Sequence, residues 1–147
     1  MLRISRMTDY GTIVLSQLNS ENVTSADNIS NNTSIAKPTV SKLLKAFTQK
    51  GLTISERGNH GGYSLARPSK DINVVEIIDA IEGPLAITKC SSNDSICDIE
   101  NDCLTVNIWK DINERISSVL SDITLHDIKT SKKVSKITFH KKNELGL

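Results

Sequence analysis

The sequence predicts a mainly α-helical fold with one small β-hairpin, in the order of a winged helix-turn-helix followed by a long C-terminal helix. Three observations predict it. Val40, Leu43, Leu44 and Phe47 recur at i, i+3, i+4 and i+7 between Pro38 and Gly51, as on one face of a well-terminated helix. Two short runs, Leu52-Thr53-Ile54 and Gly62 to Arg67, flank the glycine-rich tip Glu56-Arg57-Gly58-Asn59-His60-Gly61-Gly62. Trp109, Ile112, Ile116, Val119 and Ile123 then recur at steps of three and four over about two heptads.

A chain of 147 residues suits one domain, or one domain with an appended helix. Aromatics make up only 3%, so the core must be built mostly of Ile, Val and Leu. The first residues, MLRISRMTDY, lack a signal-peptide apolar region, and no run is long enough to cross a bilayer. A cytoplasmic protein with no membrane partner is expected. In that compartment the three cysteines are poorly explained as a disulfide framework, which would also leave one over.

The net charge of +1 conceals a strong asymmetry. Residues 1–70 carry nine Lys/Arg and four Asp/Glu, residues 71–128 three and twelve, and residues 129–147 six and one. The chain therefore has a basic head, an acidic middle and a basic tail. A basic head suits a polyanion, although any single charged run can simply be a solvated face.

Taken in order, Thr8 is expected to cap a first helix, with Asp9 near its N-terminal dipole and Tyr10, Ile13, Val14 and Leu18 on its apolar side. A short second helix starts near Ser25, and Ser30 to Ser34 reads as a turn. The third helix turns Pro38, Lys42, Lys45 and Gln49 away from its apolar face, with Thr39 and Ser41 on the flanks. Such a helix fits the major groove of double-stranded DNA, with its first side chains on base edges and its lysines on phosphates. Alone, it reads equally as an ordinary amphipathic surface helix. The hairpin that follows changes the balance. Its glycines let backbone approach a phosphate or a narrow groove, and Arg57 carries the charge a narrow minor groove attracts.

Asn73-Val74-Val75-Glu76 reads as a capping box opening a helix with Val74, Ile77, Ile78 and Ile81 on one face, ended by Gly83-Pro84. Asp79 and Glu82 read as solvated. The long helix is expected from Leu104 to Ser121. Its apolar seam suits either packing on the chain's own core or a symmetric homodimer on a two-fold-related operator. From Lys129 the lysine-rich tail is expected to be flexible. The domains are thus a winged helix over 1–83, a cysteine loop over 84–103, a dimerisation helix region over 104–128 and a basic tail over 129–147.

Cys90, Cys97 and Cys103 fall within the fourteen residues CSSNDSICDIENDC. Three thiolates are soft donors for an iron–sulfur cluster or zinc. The gaps of six and five residues are too wide for the paired spacing of a zinc ribbon, and favour a loop wrapped around a larger group. Asp94, Asp98, Glu100 and Asp102 oppose thiolate formation, so these are poor candidates for activated nucleophiles. No His/Cys pair or paired carboxylates sit on a recognisable catalytic scaffold. A mobile loop of thiols is the remaining alternative.

The stretches ERGNHGGYSLARP, VVEIIDAIEGP and the three-cysteine loop followed by Leu104 to Trp109 together resemble the IscR-type winged-helix iron–sulfur regulators. The resemblance runs from about Met1 to Ile128, with MLRISRMTDYGTIVL nearest to the branch regulating SUF-type cluster assembly genes. It implies a homodimeric regulator whose cluster occupancy tunes DNA affinity or site choice, and a repressor is the expected sign. Cys90, Cys97 and Cys103 match the cluster cysteines. Pro38, Thr39, Ser41 and Lys42 match the base-reading start of the recognition helix, with Lys45 beyond them on the same face. Arg57, Gly58, Asn59, His60, Gly61 and Gly62 match the wing. One position departs from the family. The prototype's fourth ligand is a histidine three residues after the last cysteine, and here Val106 stands there. In some relatives the position matching Asp9 completes the cluster from the partner subunit. Asp9 and the loop carboxylates both remain candidates, for a cluster of either 2Fe-2S or 4Fe-4S type. The competing functions are a winged-helix regulator using its cysteines for zinc or as a redox or nitric oxide switch, and a cluster carrier.

Overall fold

The computed structural model describes residues 3–88, 91 and 103–130. α1 (Arg6–Ser16) is opened by Ser5, whose hydroxyl accepts from the Thr8 N–H at 3.3 Å. Thr8 is therefore not the cap expected from sequence. It lies in the first turn, only 3% exposed, and its hydroxyl donates to the distant Glu82 carboxylate. α2 (Ala26–Thr33) starts where expected, and Ser25 caps it. Ser30 to Thr33, expected as turn, extend α2, so the connection to α3 shrinks to Ser34-Ile35-Ala36. Tertiary ties decide this. Ser34 closes the helix in the left-handed region (φ 59), and the Ser30 hydroxyl donates to the carbonyl of buried Ile35 at 2.7 Å.

α3 (Lys37–Gln49) holds Pro38 as its second residue, where the missing N–H costs no helical bond. Val40, Leu43, Leu44 and Phe47 are buried as their spacing predicts, and Gly51 follows the helix at φ 73. They pack with Val14, Leu15 and Leu18 of α1, Ile29 of α2, and Leu52, Leu65, Ile72, Ile77 and Leu125 into one aliphatic core. At the crossing of α1, α3 and α4 (Val74–Glu82) lies Gly11. A Cβ there would stand 2.4 Å from Ile81 Cδ1 and 2.9 Å from Phe47 Cζ. Gly11→Ala is expected to destabilise the fold by about 1–3 kcal/mol, although alanine is the better helix former. Urea unfolding checks this, and an unchanged midpoint would show that the crossing relaxes freely.

β1 (Thr53–Glu56) and β2 (Gly62–Leu65) form an antiparallel hairpin in which Thr53 faces Leu65 and Glu56 faces Gly62. Glu56, expected in the tip, belongs to the strand. Thr24 adds a bridge on the outer side of β2, with Thr24 N to Tyr63 O at 2.9 Å and Tyr63 N to Thr24 O at 2.8 Å. The Thr48 and Thr53 hydroxyls meet at 2.9 Å and dock β1 on α3.

A 3₁₀ turn (Ser69–Asp71) leads to α4, which carries the predicted capping box: Asn73 Oδ1 accepts from the Glu76 N–H and Glu76 accepts from the Asn73 N–H. Gly83 ends α4 at φ 87. α5 (Val106–Ser121) starts two residues later than expected, leaving Leu104 fully exposed. α6 (Leu125–Lys129) has a second capping box, from Thr124 and Asp127. The two boxes lie side by side, because Val74 N donates to Ile123 O at 2.9 Å and Leu125 N donates to Ile72 O at 2.8 Å. Through this bridge and buried Leu125 the chain returns to the head after α5. Lys129, read from sequence as the start of the tail, is the last residue of α6. The tail beyond Thr130 lies outside the described residues.

Candidate DNA-binding face and cysteine loop

The helix-turn-helix presents the start of α3 outward. Pro38, Lys42 and Lys45 are exposed, and Thr39 and Ser41 are half-buried on the flanks. Ala36 precedes the helix without a side-chain cap, and no acidic residue stands in its first turn. Among the described residues, some cations are paired and others are not. Lys37 pairs with Asp27 at 2.6 Å, Lys50 with Asp79 at 3.0 Å, and Arg67 with Glu76. Lys42, Lys45 and Arg57 form no ion pair. Lys42 and Lys45 on the outer face of α3 and Arg57 at the hairpin tip are thus left for a polyanion, while Lys37 at the start of the same helix is held by Asp27.

Arg57, Gly58, Asn59 and His60 are exposed at the tip, and Gly61 and Gly62 are half-buried. The structure gives the glycines duties the sequence did not reveal. Gly58 adopts φ 118, and a Cβ on Gly61 would lie 2.3 Å from Glu56 O. A Cβ on Gly62 would lie 2.5 Å from Thr24 O. They keep the tip narrow and let β2 lie close against the Thr24 backbone. Lys42→Ala is expected to weaken operator binding by about 1–3 kcal/mol, flattening the salt dependence if it meets phosphate or relaxing one operator position if it reads a base. Arg57→Ala is expected to reduce preference for A·T-rich flanks. Mobility shifts across a salt series check both, and unchanged affinity and slope would remove Lys42 from the interface.

Cys103 is half-buried just ahead of α5, its sulfur 3.4 Å from Thr105 Oγ1. Cys90 and Cys97 lie outside the described residues, as do Asp94, Asp98, Glu100 and Asp102. Among the described residues, no three His, Cys, Asp or Glu side chains are gathered as a metal site. Asp9 is exposed on α1 and lines an open cleft of about 820 Å³ with Arg3, Arg6, Thr8 and the apolar side chains of Ile77 and Ile128. Cys103 does not line that cleft.

The approach to the loop is tied to both halves of the molecule. Glu82, at the end of α4, accepts from the Thr8 hydroxyl and from the Ser5 N–H at 3.0 Å, joining α4 to the start of α1. These residues are 74 and 77 positions apart, so no local pattern announced the contact. Beyond Gly83-Pro84, Asn113 of α5 bonds the backbone of Leu85 and Ile87. The Thr8 hydroxyl, then the Ser5 N–H, hold the Glu82 carboxyl below its usual value against a smaller opposing effect of burial. A lowered folded-state pKa means that the folded form binds fewer protons. The contact therefore stabilises above the ordinary carboxylate value and is lost as pH falls through the lowered one. Glu82→Gln is expected to be less stable than wild type at pH 7, with the gap closing in acid; a gap constant with pH would contradict this.

A helix-turn-helix with an open cationic recognition helix, followed directly by a seated hairpin, defines a winged-helix DNA-binding protein. Residues 4–131 match the Rrf2 family of iron-dependent transcriptional regulators. The chain belongs to that family and is a transcriptional regulator of its IscR type. It is 31% identical over 116 residues to the HTH-type transcriptional regulator IscR of Yersinia pestis, covering 79% of this chain and 70% of that one. It is 34% identical over 110 residues to IscR of Vibrio atlanticus, covering 75% and 63%. Among solved structures, IscR of T. potens superposes with a TM-score of 0.63 at 29% identity, covering 92% of each chain. CymR, the global cysteine regulator of B. subtilis, superposes at 0.67 with 26% identity, covering 90% of this chain and all of that one. No helix among the described residues is long and apolar enough to cross a membrane.

Proposed function

We propose that the protein is a cytoplasmic homodimeric repressor of SUF-type iron–sulfur assembly genes, with a cluster held by Cys90, Cys97 and Cys103 tuning its grip on double-stranded operator DNA. The observation that carries this reading is that Cys103 stands three residues ahead of the helix that bears the exposed apolar face. No residue of α5 is buried; Ile108 is 54% exposed and Trp109 39%. A thiolate at the head of that helix links what the loop holds to how two copies meet.

The donor chemistry at Cys103 fits an iron–sulfur cluster. Its sulfur is a soft donor at a half-buried position directly ahead of a helix with no acidic residue in its first turn. When bound, a cluster supplies a tie among thiolates that oxidation or iron loss undoes. The chain's own residues do the rest. Pro38, Thr39 and Ser41 meet base edges, Lys42 and Lys45 meet phosphates, and the stretch from Arg57 to Gly62 enters the minor groove. The Thr8–Glu82 contact couples the loop's approach to the head.

Asp9 supplies the fourth ligand from the partner subunit in this reading. It is exposed, and Val106 in the histidine's place cannot bind metal. The experiment is anaerobic purification of wild type beside Asp9→Ala, followed by visible and Mössbauer spectra. A coloured wild type and a more labile, perturbed cluster in Asp9→Ala are expected. Identical spectra and lifetimes would turn the fourth-ligand assignment to Asp94, Asp98, Glu100 or Asp102. A colourless protein carrying zinc would replace the cluster reading with the zinc one.

A further inference from the structure

We propose that Asn113 is a positioning residue for the cysteine loop: its side-chain amide pins the Leu85–Ile87 arm to α5, and thereby sets how long the loop retains a cluster. This rests on the cluster reading above, and the test separates the two.

Asn113 lies in the interior of α5, where asparagine is a mediocre helix former. Its amide is used at both ends. Nδ2 donates to the Leu85 carbonyl at 3.1 Å, and Oδ1 accepts from the Ile87 N–H at 3.1 Å. The side chain thus reads two alternate backbone positions much as a neighbouring strand would. A flipped amide would set oxygen against oxygen and N–H against N–H, so the partners fix its orientation.

What it holds is the arm leading to the cysteines. Residues 84–88 form no helix or strand, so the arm has no ladder of its own. Ile87 stands three residues before Cys90 in the chain. One turn back on α5, the Trp109 carbonyl accepts from the Ser91 hydroxyl at 3.3 Å, and Ser91 meets the Thr88 hydroxyl at 2.8 Å. Cys103 leads into α5 itself. Both arms of the loop are therefore referred to the same helix, one through Asn113 and one through the chain. Preorganised support of this kind restrains ligands in the geometry a metal centre needs.

The test uses the full chain purified anaerobically as wild type, Asn113→Ala and Asn113→Asp, with four measurements. These are the decay of visible absorbance under an iron chelator, iodoacetamide alkylation of the cysteines in cluster-free protein, amide exchange at Ile87, and the melting temperature. Asn113→Ala is expected to speed cluster loss by about three- to tenfold, raise Ile87 exchange and change the alkylation rates, while the melting temperature stays within a degree or two of wild type. Asn113→Asp keeps the acceptor for Ile87 but has no donor for Leu85, and should fall between. Unchanged cluster decay with faster exchange would overturn the proposal, and so would effects that only track a lower melting temperature. If wild type binds no cluster, the cluster reading falls, and the clamp is decided on alkylation and exchange: unchanged rates in Asn113→Ala overturn it.

Discussion

Ile116→Asp is expected to leave a folded monomer and to lower operator affinity by about 10²–10⁴-fold. The substitution enters the apolar face of α5, where no residue is buried in one chain and Ile116 itself is half-buried. The core built on α1, α3 and α4 does not include it. A second copy would cover Ile116, and a charge there would be taken out of water without a partner. Each released head would still present Lys42 and the hairpin, but would read one half-site. The loss is therefore of linkage between two heads, with the contacts of each head retained. Sedimentation and operator shifts check both arms. A dimer of unchanged mass would make the seam packing within one chain.

Cys103→Ala is the second large effect. The protein is expected to fold, melt near wild type and purify anaerobically without the visible absorbance or iron of a cluster. Folding is spared because the side chain is half-buried and outside the core. The cluster is lost because two thiolates remain in the loop, and the other candidate donors are carboxylates that bind soft iron–sulfur centres less well. Operator affinity should then equal that of cluster-free wild type. Full iron and sulfide content in Cys103→Ala would remove this cysteine from the site.

Elements whose signals are local were legible from the residues. The i, i+3, i+4, i+7 spacing of Val40 to Phe47 located α3 and its buried face, and Asn73 with Glu76 spelled out a capping box that forms as predicted. The hairpin followed from its glycines and flanking strands. What failed depended on distant partners. Thr8 looked like a cap, but Ser5 caps α1 and Thr8 reaches Glu82. Asp79 and Glu82 read as solvated, and Glu82 is indeed exposed, but their partners Lys50, Ser5 and Thr8 could not be read from sequence. Ser30 to Thr33 read as turn because short polar side chains favour turns, and the burial of Ile35 overrode that preference. Asn113 carried no signal, since its partners Leu85 and Ile87 lie on another segment. Of the site, the exposure of Lys42, Lys45 and Arg57 agrees with the helix periodicity and hairpin position that singled them out. The absence of competing ion pairs around them, among the described residues, became visible only in the folded chain.

The most direct test is operator affinity at one fixed salt concentration, measured on anaerobically purified protein before and after cluster removal. The account predicts a change of at least about tenfold, roughly 1.4 kcal/mol, in wild type and none in Cys103→Ala. Equal affinities for one operator set in both wild-type forms, with the cluster demonstrably present in one, would contradict it.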